Sequence, residues 1–159
     1  MAIFAKYDGI DGESVDAHHA EWVDVLSVDW GISHPGGGAG RGRRRGAATV
    51  EDLMLTLEYE KASPKLQEKC LRGAVIPKLV IEQTATYGGA RATYLRYELK
   101  NVMITSIHVN ASGADEAGPG IVVVGNNFEK IKVTYTEFDG AGSKKGNVEY
   151  NWKIEKGSA

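Results

Sequence analysis

One stretch near the middle of the chain constrains the fold more than any other, because it carries both a start and a stop signal for a helix. Ser63 can cap the helix start, and Pro64 suits the first helical position, where its missing N–H would have no intrahelical partner. Gly73 reaches the left-handed conformation that commonly ends a helix. The sequence therefore predicts one helix over residues 63–73.

The apolar residues of this predicted helix form a narrow stripe at Leu66, Cys70 and Leu71. Such a stripe indicates a helix that packs one side against a larger apolar surface. Cys70 is the only cysteine, so it cannot form an intramolecular disulfide, and its place on the stripe favours a small buried hydrophobic residue over a nucleophile. We expect Leu66 and Leu71 to contribute to the stability of the fold.

Most of the remaining chain alternates between apolar and polar residues, as strands do. Asn101 interrupts a long apolar face and predicts a bend or bulge, and residues 86–90 predict a turn. In residues 22–32 both faces of the predicted strand carry apolar side chains, which indicates a strand covered on both sides, within the fold or by another subunit. The predicted strands cover residues 3–7, 22–32, 53–59, 75–81, 95–109, 130–135 and 148–154.

Length and composition limit the classes of protein to consider. A chain of 159 residues with 42% hydrophobic residues fits one domain over residues 1–159 with a substantial core. Its 19 basic and 21 acidic residues give a net charge of -2, which offers no overall electrostatic case for nucleic acid. We expect no membrane insertion and, if the protein is exported, a route without a cleavable signal peptide, because residues 1–8 lack the pattern of a signal.

Residues 34–48 are rich in glycine and arginine and show no periodicity. The glycine spacing matches neither a dinucleotide-binding nor a P-loop pattern. Three interpretations of Arg41, Arg43, Arg44 and Arg45 stay open: a solvated basic loop, a contact with an acidic partner surface, or contacts with nucleic acid phosphates. The last is the least favoured, since no aromatic residues are interleaved with the arginines.

No group of residues in the sequence builds a recognisable catalytic or metal site. His18, His19 and Glu21 are neighbours, but adjacent residues of an extended segment point apart and no third ligand follows at a suitable spacing. His34 and His108 are isolated, so surface or loop positions are predicted for all four histidines. No carboxylate pair can be given acid and base roles from its spacing. We expect no cofactor, no metal and no catalytic step.

Five separated motifs, taken together and in this order, resemble the haemolysin-coregulated protein (Hcp) family of bacterial type VI secretion. The resemblance runs over nearly the whole chain. The motifs are IDGES at residues 10–14, VLSVDWG at 25–31, KASPKL at 61–66 followed by Cys70, FEKIKVTY at 128–135 and VEYNWKI at 148–154.

The resemblance implies a mainly β fold: a small β-barrel of two packed sheets with one flanking α-helix, similar to phage tail-tube proteins. It also implies a homohexameric ring whose rings stack into a hollow tube, with the spike protein, the contractile sheath and small effector proteins as partners. A member of this family is a structural protein and not an enzyme. It is made in the bacterial cytoplasm and is then secreted to the extracellular space or a target cell.

The resemblance places the second strand beside the ring lumen, which makes Ser27 and Asp29 candidates for the lumen wall and for cargo contact. A surface acid at a subunit edge is the equally open interpretation of Asp29. Gly88, Gly89 and Glu155, together with the four arginines, are candidates for ring stacking or partner contact. A monomeric small-ligand-binding β-barrel is the alternative function, and a barrel enzyme with an unrecognised site is a third.

Overall fold

The computed structural model describes residues 1–35, 48–114 and 118–154. Within these residues the chain forms strands along most of its length and one helix. The elements are β1 (Ala2–Tyr7), β2 (Val23–Asp29), β3 (Ile32–Ser33), β4 (Thr49–Val50), β5 (Leu53–Glu58), α1 (Ala62–Arg72), β6 (Val75–Tyr87), β7 (Ala90–Asn110), β8 (Ile121–Asn127), β9 (Lys130–Phe138) and β10 (Lys144–Lys153).

Six antiparallel strands close into a barrel in the order β7–β6–β1–β2–β5–β8, because β8 pairs with both β5 and β7. Strands β9 and β10 extend the sheet beyond β7, and β3 and β4 form a separate two-stranded ribbon. Helix α1 packs against β7. The predicted fold class, a mainly β barrel with one flanking helix, is confirmed.

Strand β7 belongs to two pairings and bends between them. Its residues 95–100 pair with β9, whereas residues 103–110 pair with β8. Asn101 lies between the two parts with a φ of 53°, in the left-handed region that asparagine tolerates better than most residues. The bend predicted at Asn101 is therefore confirmed, and it separates the part of β7 that pairs with β9 from the part that pairs with β8.

The barrel interior is filled by alternate residues of the strands. Leu53, Leu55 and Leu57 of β5 are all fully buried, as the period of two requires for one face of a strand. The Tyr7 hydroxyl is also buried in this interior and donates a hydrogen bond of 2.7 Å to Asn126 Oδ1. Burial raises the pKa of Tyr7 far above its ordinary value.

Helix α1 begins one residue earlier than the sequence predicts. Lys61 occupies the N-cap position without a side-chain hydrogen bond, and the Ser63 hydroxyl instead accepts a hydrogen bond of 3.1 Å from the backbone N–H of Glu60. The predicted capping role of Ser63 is therefore wrong, and Pro64 is the third helical residue. The predicted end is confirmed, since Gly73 adopts φ 59° and ψ 31° and its N–H donates to the Cys70 carbonyl.

The buried side of α1 is narrower than predicted. Ala62 and Leu66 are fully buried and Cys70 is half-buried against the core, which is the i, i+4 spacing of one helix face. Leu71 lies about a quarter turn beyond Cys70 and is 88% exposed. The prediction that Leu71 stabilises the fold is wrong, whereas the prediction for Leu66 agrees with its burial.

Strand β8 has no counterpart among the predicted strands. Residues 121–124 are four consecutive apolar residues and show no alternation. Val122 and Val124 are fully buried in the barrel, while Ile121 and Val123 are half-buried on the opposite face. The signal of period two disappears because the outer face of this strand is also apolar.

Candidate assembly site

Strand β2 contains a β-bulge that changes which side chains face the core. Its register with β5 shifts between Val25 and Ser27, which inserts one extra residue. Val25 is buried before the bulge and Val28 packs against the core after it, while Leu26 is left 53% exposed. The mixed apolar pattern of residues 22–32 therefore results from the bulge, and the predicted division into two faces is wrong beyond Val25.

The outer side of β2 continues across β5, β8 and the last part of β7; we call this surface the β2–β5 wall. Ser27 and Asp29, the lumen candidates, are both exposed on it. Gly125 of β8 leaves no room for a side chain, because a Cβ at this position would lie 2.5 Å from the Ser106 Oγ. On β2 and β5, the charged and hydroxyl-bearing residues of this wall are Asp24, Ser27, Asp29, Thr56 and Glu58.

The β2–β5 wall carries acidic charge. Asp24, Asp29 and Glu58 are exposed on it. Glu60 lies just beyond the end of β5, and burial raises the pKa of its carboxyl, with the nearby Glu13 and Asp24 carboxylates acting in the same direction. Hydrogen bonds to Glu60 from the backbone N–H groups of Glu13 and Ala62 oppose this shift. A molecule that approaches this wall therefore meets clustered carboxylates.

The turn at Gly88 and Gly89 is the tip of the β6–β7 hairpin. Both glycines have a positive φ, 54° and 83°, as a tight hairpin turn requires. Gly88 also packs against the β9–β10 turn, because a Cβ on it would lie 2.3 Å from the Ala141 carbonyl oxygen. Tyr87 and Phe138 stack beside this contact with ring centroids 4.6 Å apart. The two turns therefore adjoin each other, and Gly88 and Gly89 are both exposed there.

On the β9–β10 hairpin, the strand face that carries the buried Ile131 extends beyond the core and is exposed there. We call Tyr135, Val148 and Tyr150 on this face the hairpin face. These side chains are 45%, 74% and 43% exposed, and Val148 lies directly opposite Tyr135. The face continues into an apolar cavity of about 140 Å³. The cavity is lined by Trp30, Ile32, Ala48, Val50, Ile131, Tyr150 and Trp152.

A second apolar patch lies where α1 ends and β6 begins; we call Leu71, Val75 and Met103 the helix-end patch. Their side chains are 88%, 53% and 39% exposed. Val75 lies directly opposite Met103 in the β6–β7 register, and the Met103 methyl group lies 4.0 Å from the position of a Cβ on Gly73. The hairpin face and the helix-end patch belong to different elements and share no residue.

The loop of residues 11–21 is fixed on the barrel by a charged network around His19. The two ring nitrogens lie 2.7 Å from an Asp16 carboxylate oxygen and 2.8 Å from Glu82 Oε1, and the ring stacks on Phe4 at 4.2 Å. Arg91 pairs with Asp16, which closes the network. His19 does lie in a loop, as predicted, but it is only 4% exposed; its distant partner Glu82 left no local signal in the sequence.

Arg41, Arg43, Arg44, Arg45 and Glu155 lie outside the described residues. Across residues 1–35, 48–114 and 118–154, no three potential ligand side chains gather as a metal site would require. In the same part of the chain, no helix has the length and apolar character needed to cross a membrane.

The chain matches known proteins over nearly its full length. The profile of the family described as "Type VI secretion system effector, Hcp" matches residues 4–139. Protein hcp1 of Pseudomonas aeruginosa is 32% identical over 156 residues, which cover 97% of this chain and 95% of that protein.

Solved structures share the fold. A type six secretion system protein superposes with a TM-score of 0.90 at 22% identity, covering 99% of this chain and 98% of the other. Hcp1 from Salmonella typhimurium superposes with a TM-score of 0.76 at 25% identity, covering 98% of this chain and 95% of the other. The barrel, the flanking helix and the β9–β10 extension are thus parts of a shared architecture.

Proposed function

Because this chain belongs to the Hcp family of type VI secretion effector and tube proteins, we propose that residues 1–159 form a single-domain subunit of a homohexameric ring. Stacked rings form the inner tube of the secretion machine, and the protein leaves the cell with the tube. Its partners are further copies of itself, the spike protein, the contractile sheath and small effector proteins held in the lumen. Members of this family are structural secretion proteins, and no catalytic step is part of the proposal.

One observation carries the ring: the chain exposes two separate apolar patches, the hairpin face and the helix-end patch. In a ring each subunit uses two different surfaces, one for each neighbour. A valine that is 74% exposed and a leucine that is 88% exposed lose contact with water when such patches meet, which stabilises the contact by about 25 cal/mol for each Å² of apolar surface buried. We propose that the hairpin face of one subunit packs against the helix-end patch of the next.

The monomeric ligand-binding barrel has less support. Its binding site would be the barrel interior, but Leu55, Leu57 and Leu99 are fully buried there and fill the space. The apolar cavity beside Trp152, about 140 Å³, is smaller than the roughly 300 Å³ at which drug-sized ligand pockets begin. A larger cavity of about 310 Å³ is lined mostly by polar and charged side chains such as His19, Glu82 and Arg91, whereas ligand pockets are mostly apolar.

Sedimentation and native mass spectrometry at micromolar concentration test the ring directly. We expect a species of six chains, and electron microscopy should show rings with a central hole. Val148→Asp and Leu71→Asp each damage one patch, so each variant should lose the hexamer. When the two variants are mixed in equal amounts, the intact patch of one can contact the intact patch of the other, which should give heterodimers without rings. A stable monomer of the unmodified protein would overturn the proposal, and hexamers in both variants would overturn the choice of patches.

We further propose that Ser27 and Asp29 face the lumen and that Gly88 and Gly89 take part in ring stacking. The support for the first is the exposed and acidic β2–β5 wall; for the second it is the exposure of both glycines at the tip of the β6–β7 hairpin. Asp29→Lys should reduce co-purification of an effector protein while the rings stay intact, with Asp8→Lys, an exposed residue just after β1, as the control. Unchanged cargo retention with intact rings would remove Asp29 from the lumen.

A further inference from the structure

Four lysines on four neighbouring strands lie in a single row across the outer surface; we call Lys78, Lys100, Lys130 and Lys153 the lysine row. Lys78 of β6 lies directly opposite Lys100 of β7, Lys100 opposite Lys130 of β9, and Lys130 opposite Lys153 of β10. The neighbouring residues Leu79, Leu99 and Ile131 are buried in the core, so the lysines point outward.

Such a row is unfavourable for the isolated subunit. Directly opposite side chains have Cβ atoms about 5 Å apart, and like charges at such positions destabilise a sheet. Neighbouring strands lie about 4.8 Å apart, so the row extends over roughly 14 Å. Four positive charges are therefore held close together by the register of the strands.

The row keeps most of its charge available. The Lys78 Nζ lies 3.9 Å from Glu98 Oε1, which is a long distance for an ion pair. Within the described residues, no ion pair involves Lys100, Lys130 or Lys153. The carboxylate of Glu129, which lies next to the row, accepts a hydrogen bond from the Asn101 side chain. A partner that brings carboxylates would relieve the repulsion within the row.

The charges next to the lysine row favour a protein over a nucleic acid as its partner. The next row contains Glu98, Lys132 and Asn151 in register, and a cavity of about 220 Å³ lies between the two rows. Glu98 and Glu149, which lies 3.6 Å from Lys132, would repel a continuous phosphate backbone but can pair with the mixed charges of a protein. Neither row offers an aromatic side chain on which a nucleic acid base could stack.

The position of the row follows from the strand order. In the closed barrel, β6 and β7 lie on the opposite side from β2 and β5. We propose that the lysine row is a docking surface on the outside of the ring for a protein that presents clustered carboxylates. The surface deepens the proposed function and rests on it for this outward position, because the β2–β5 wall is the proposed lumen side.

Binding of a fluorescent oligoglutamate peptide at low salt, followed by anisotropy, tests the surface. The double variant Lys100→Glu with Lys130→Glu should bind at least about ten-fold more weakly, since it removes two ion pairs and adds repulsion. The control Lys144→Glu with Lys145→Glu makes the same change of charge at the other end of β10, and it should stay within about two-fold. Equal weakening of both variants, or of neither, would overturn the proposal.

Two further measurements separate the alternatives. Tighter, row-dependent binding of duplex DNA than of oligoglutamate would overturn the choice of a protein partner, and loss of rings or of stacked rings in the double variant would identify a second copy as the occupant and also overturn it. If the unmodified protein is monomeric but binds oligoglutamate through the row, the ring fails while the docking surface stands.

The unfavourable charge of the row is measurable without any partner. Lys130→Gln should raise the melting temperature at low salt by about 1–4 °C, because it removes two like-charge neighbours. The gain should disappear at high salt, where surface charges are screened. No rise in the melting temperature at low salt would contradict the claim that the lysine row destabilises the isolated subunit.

Discussion

The closed barrel and the β9–β10 hairpin use the same residue types in opposite ways. In the barrel, Val122 and Val124 are fully inaccessible to solvent, and each strand has a hydrogen-bonded neighbour on both sides. In the hairpin, Val148 is 74% exposed on β10, for which β9 is the one pairing partner among the described residues. The difference indicates that the barrel supplies the stability of one chain, whereas the hairpin exposes the surface that we propose for contact with another chain.

The largest effect on stability is expected where the helix joins the barrel. Leu66→Ala should lower the free energy of unfolding by about 2–5 kcal/mol, because it removes a fully buried side chain and leaves a cavity. Chemical denaturation measures the change. Leu71→Ala is the matched control on the same helix and should cost less than about 0.5 kcal/mol. Equal losses would mean that the helix is buried on both sides.

One substitution made in both regions tests the comparison directly. Val124→Ala should lower the free energy of unfolding by about 2–3 kcal/mol through lost burial and a cavity. Val148→Ala should change it by less than about 0.5 kcal/mol and should instead shift hexamers toward smaller species. Denaturation and sedimentation, each at fixed protein concentration, give the two readouts. A large loss of stability for Val148→Ala would assign the hairpin to the subunit core.

A smaller effect is expected from the buried hydrogen bond of the barrel. Tyr7→Phe leaves the Asn126 Oδ1 acceptor without its partner and should cost about 1–2 kcal/mol at neutral pH. Burial keeps Tyr7 protonated in the folded state where the unfolded chain releases the proton, so the free energy of unfolding falls as the pH rises above about 10.

Melting curves between neutral and alkaline pH measure this dependence. Tyr7→Phe should show a shallower alkaline decrease than the unmodified protein, with the remaining decrease owed partly to Tyr97 and Tyr150, whose pKa values burial also raises. Tyr59→Phe serves as the control, because the Tyr59 side chain is at the surface and bonds Gln67. Identical pH profiles for Tyr7→Phe and the unmodified protein would contradict the coupling.

The smallest effect is expected on the polar side of α1. Reversing the charges of Lys65, Glu68 and Lys69 together should leave the melting temperature nearly unchanged, with a cost below about 0.5 kcal/mol. Among the described residues, the one ion pair affected joins Glu68 to Arg72, and both side chains are about two-thirds exposed (66% and 70%). A drop of many degrees would mean that this side of the helix is covered.

The sequence was sufficient for features with a local physical cause. The Gly73 terminator, the bend at Asn101 and the alternation of β5 follow from single residues or from a period of two, and all three are confirmed. The bulge in β2 was hidden because an extra residue changes the face of all later side chains without changing composition. The exposure of Leu71 and the burial of His19 depend on partners distant in the chain, which local patterns do not contain.

The assembly surfaces were harder to predict for a related reason. Val148 and Tyr150 fit the apolar side of a strand, and their alternation looks the same whether the face meets the core or solvent. The lysine row is distributed over four segments, between residues 78 and 153, so it forms only when the register of β6, β7, β9 and β10 is set.

Closure of the barrel by β8 also affects the kinetics of folding. β8 must find β5 and β7, and pairs such as Leu53 with Asn126 join residues far apart in the chain; such contacts form slowly because a long loop must first be closed. Until then β5 and β7 expose unpaired edges that can join the edges of other copies. Aggregation is therefore most favoured before β8 docks onto β5.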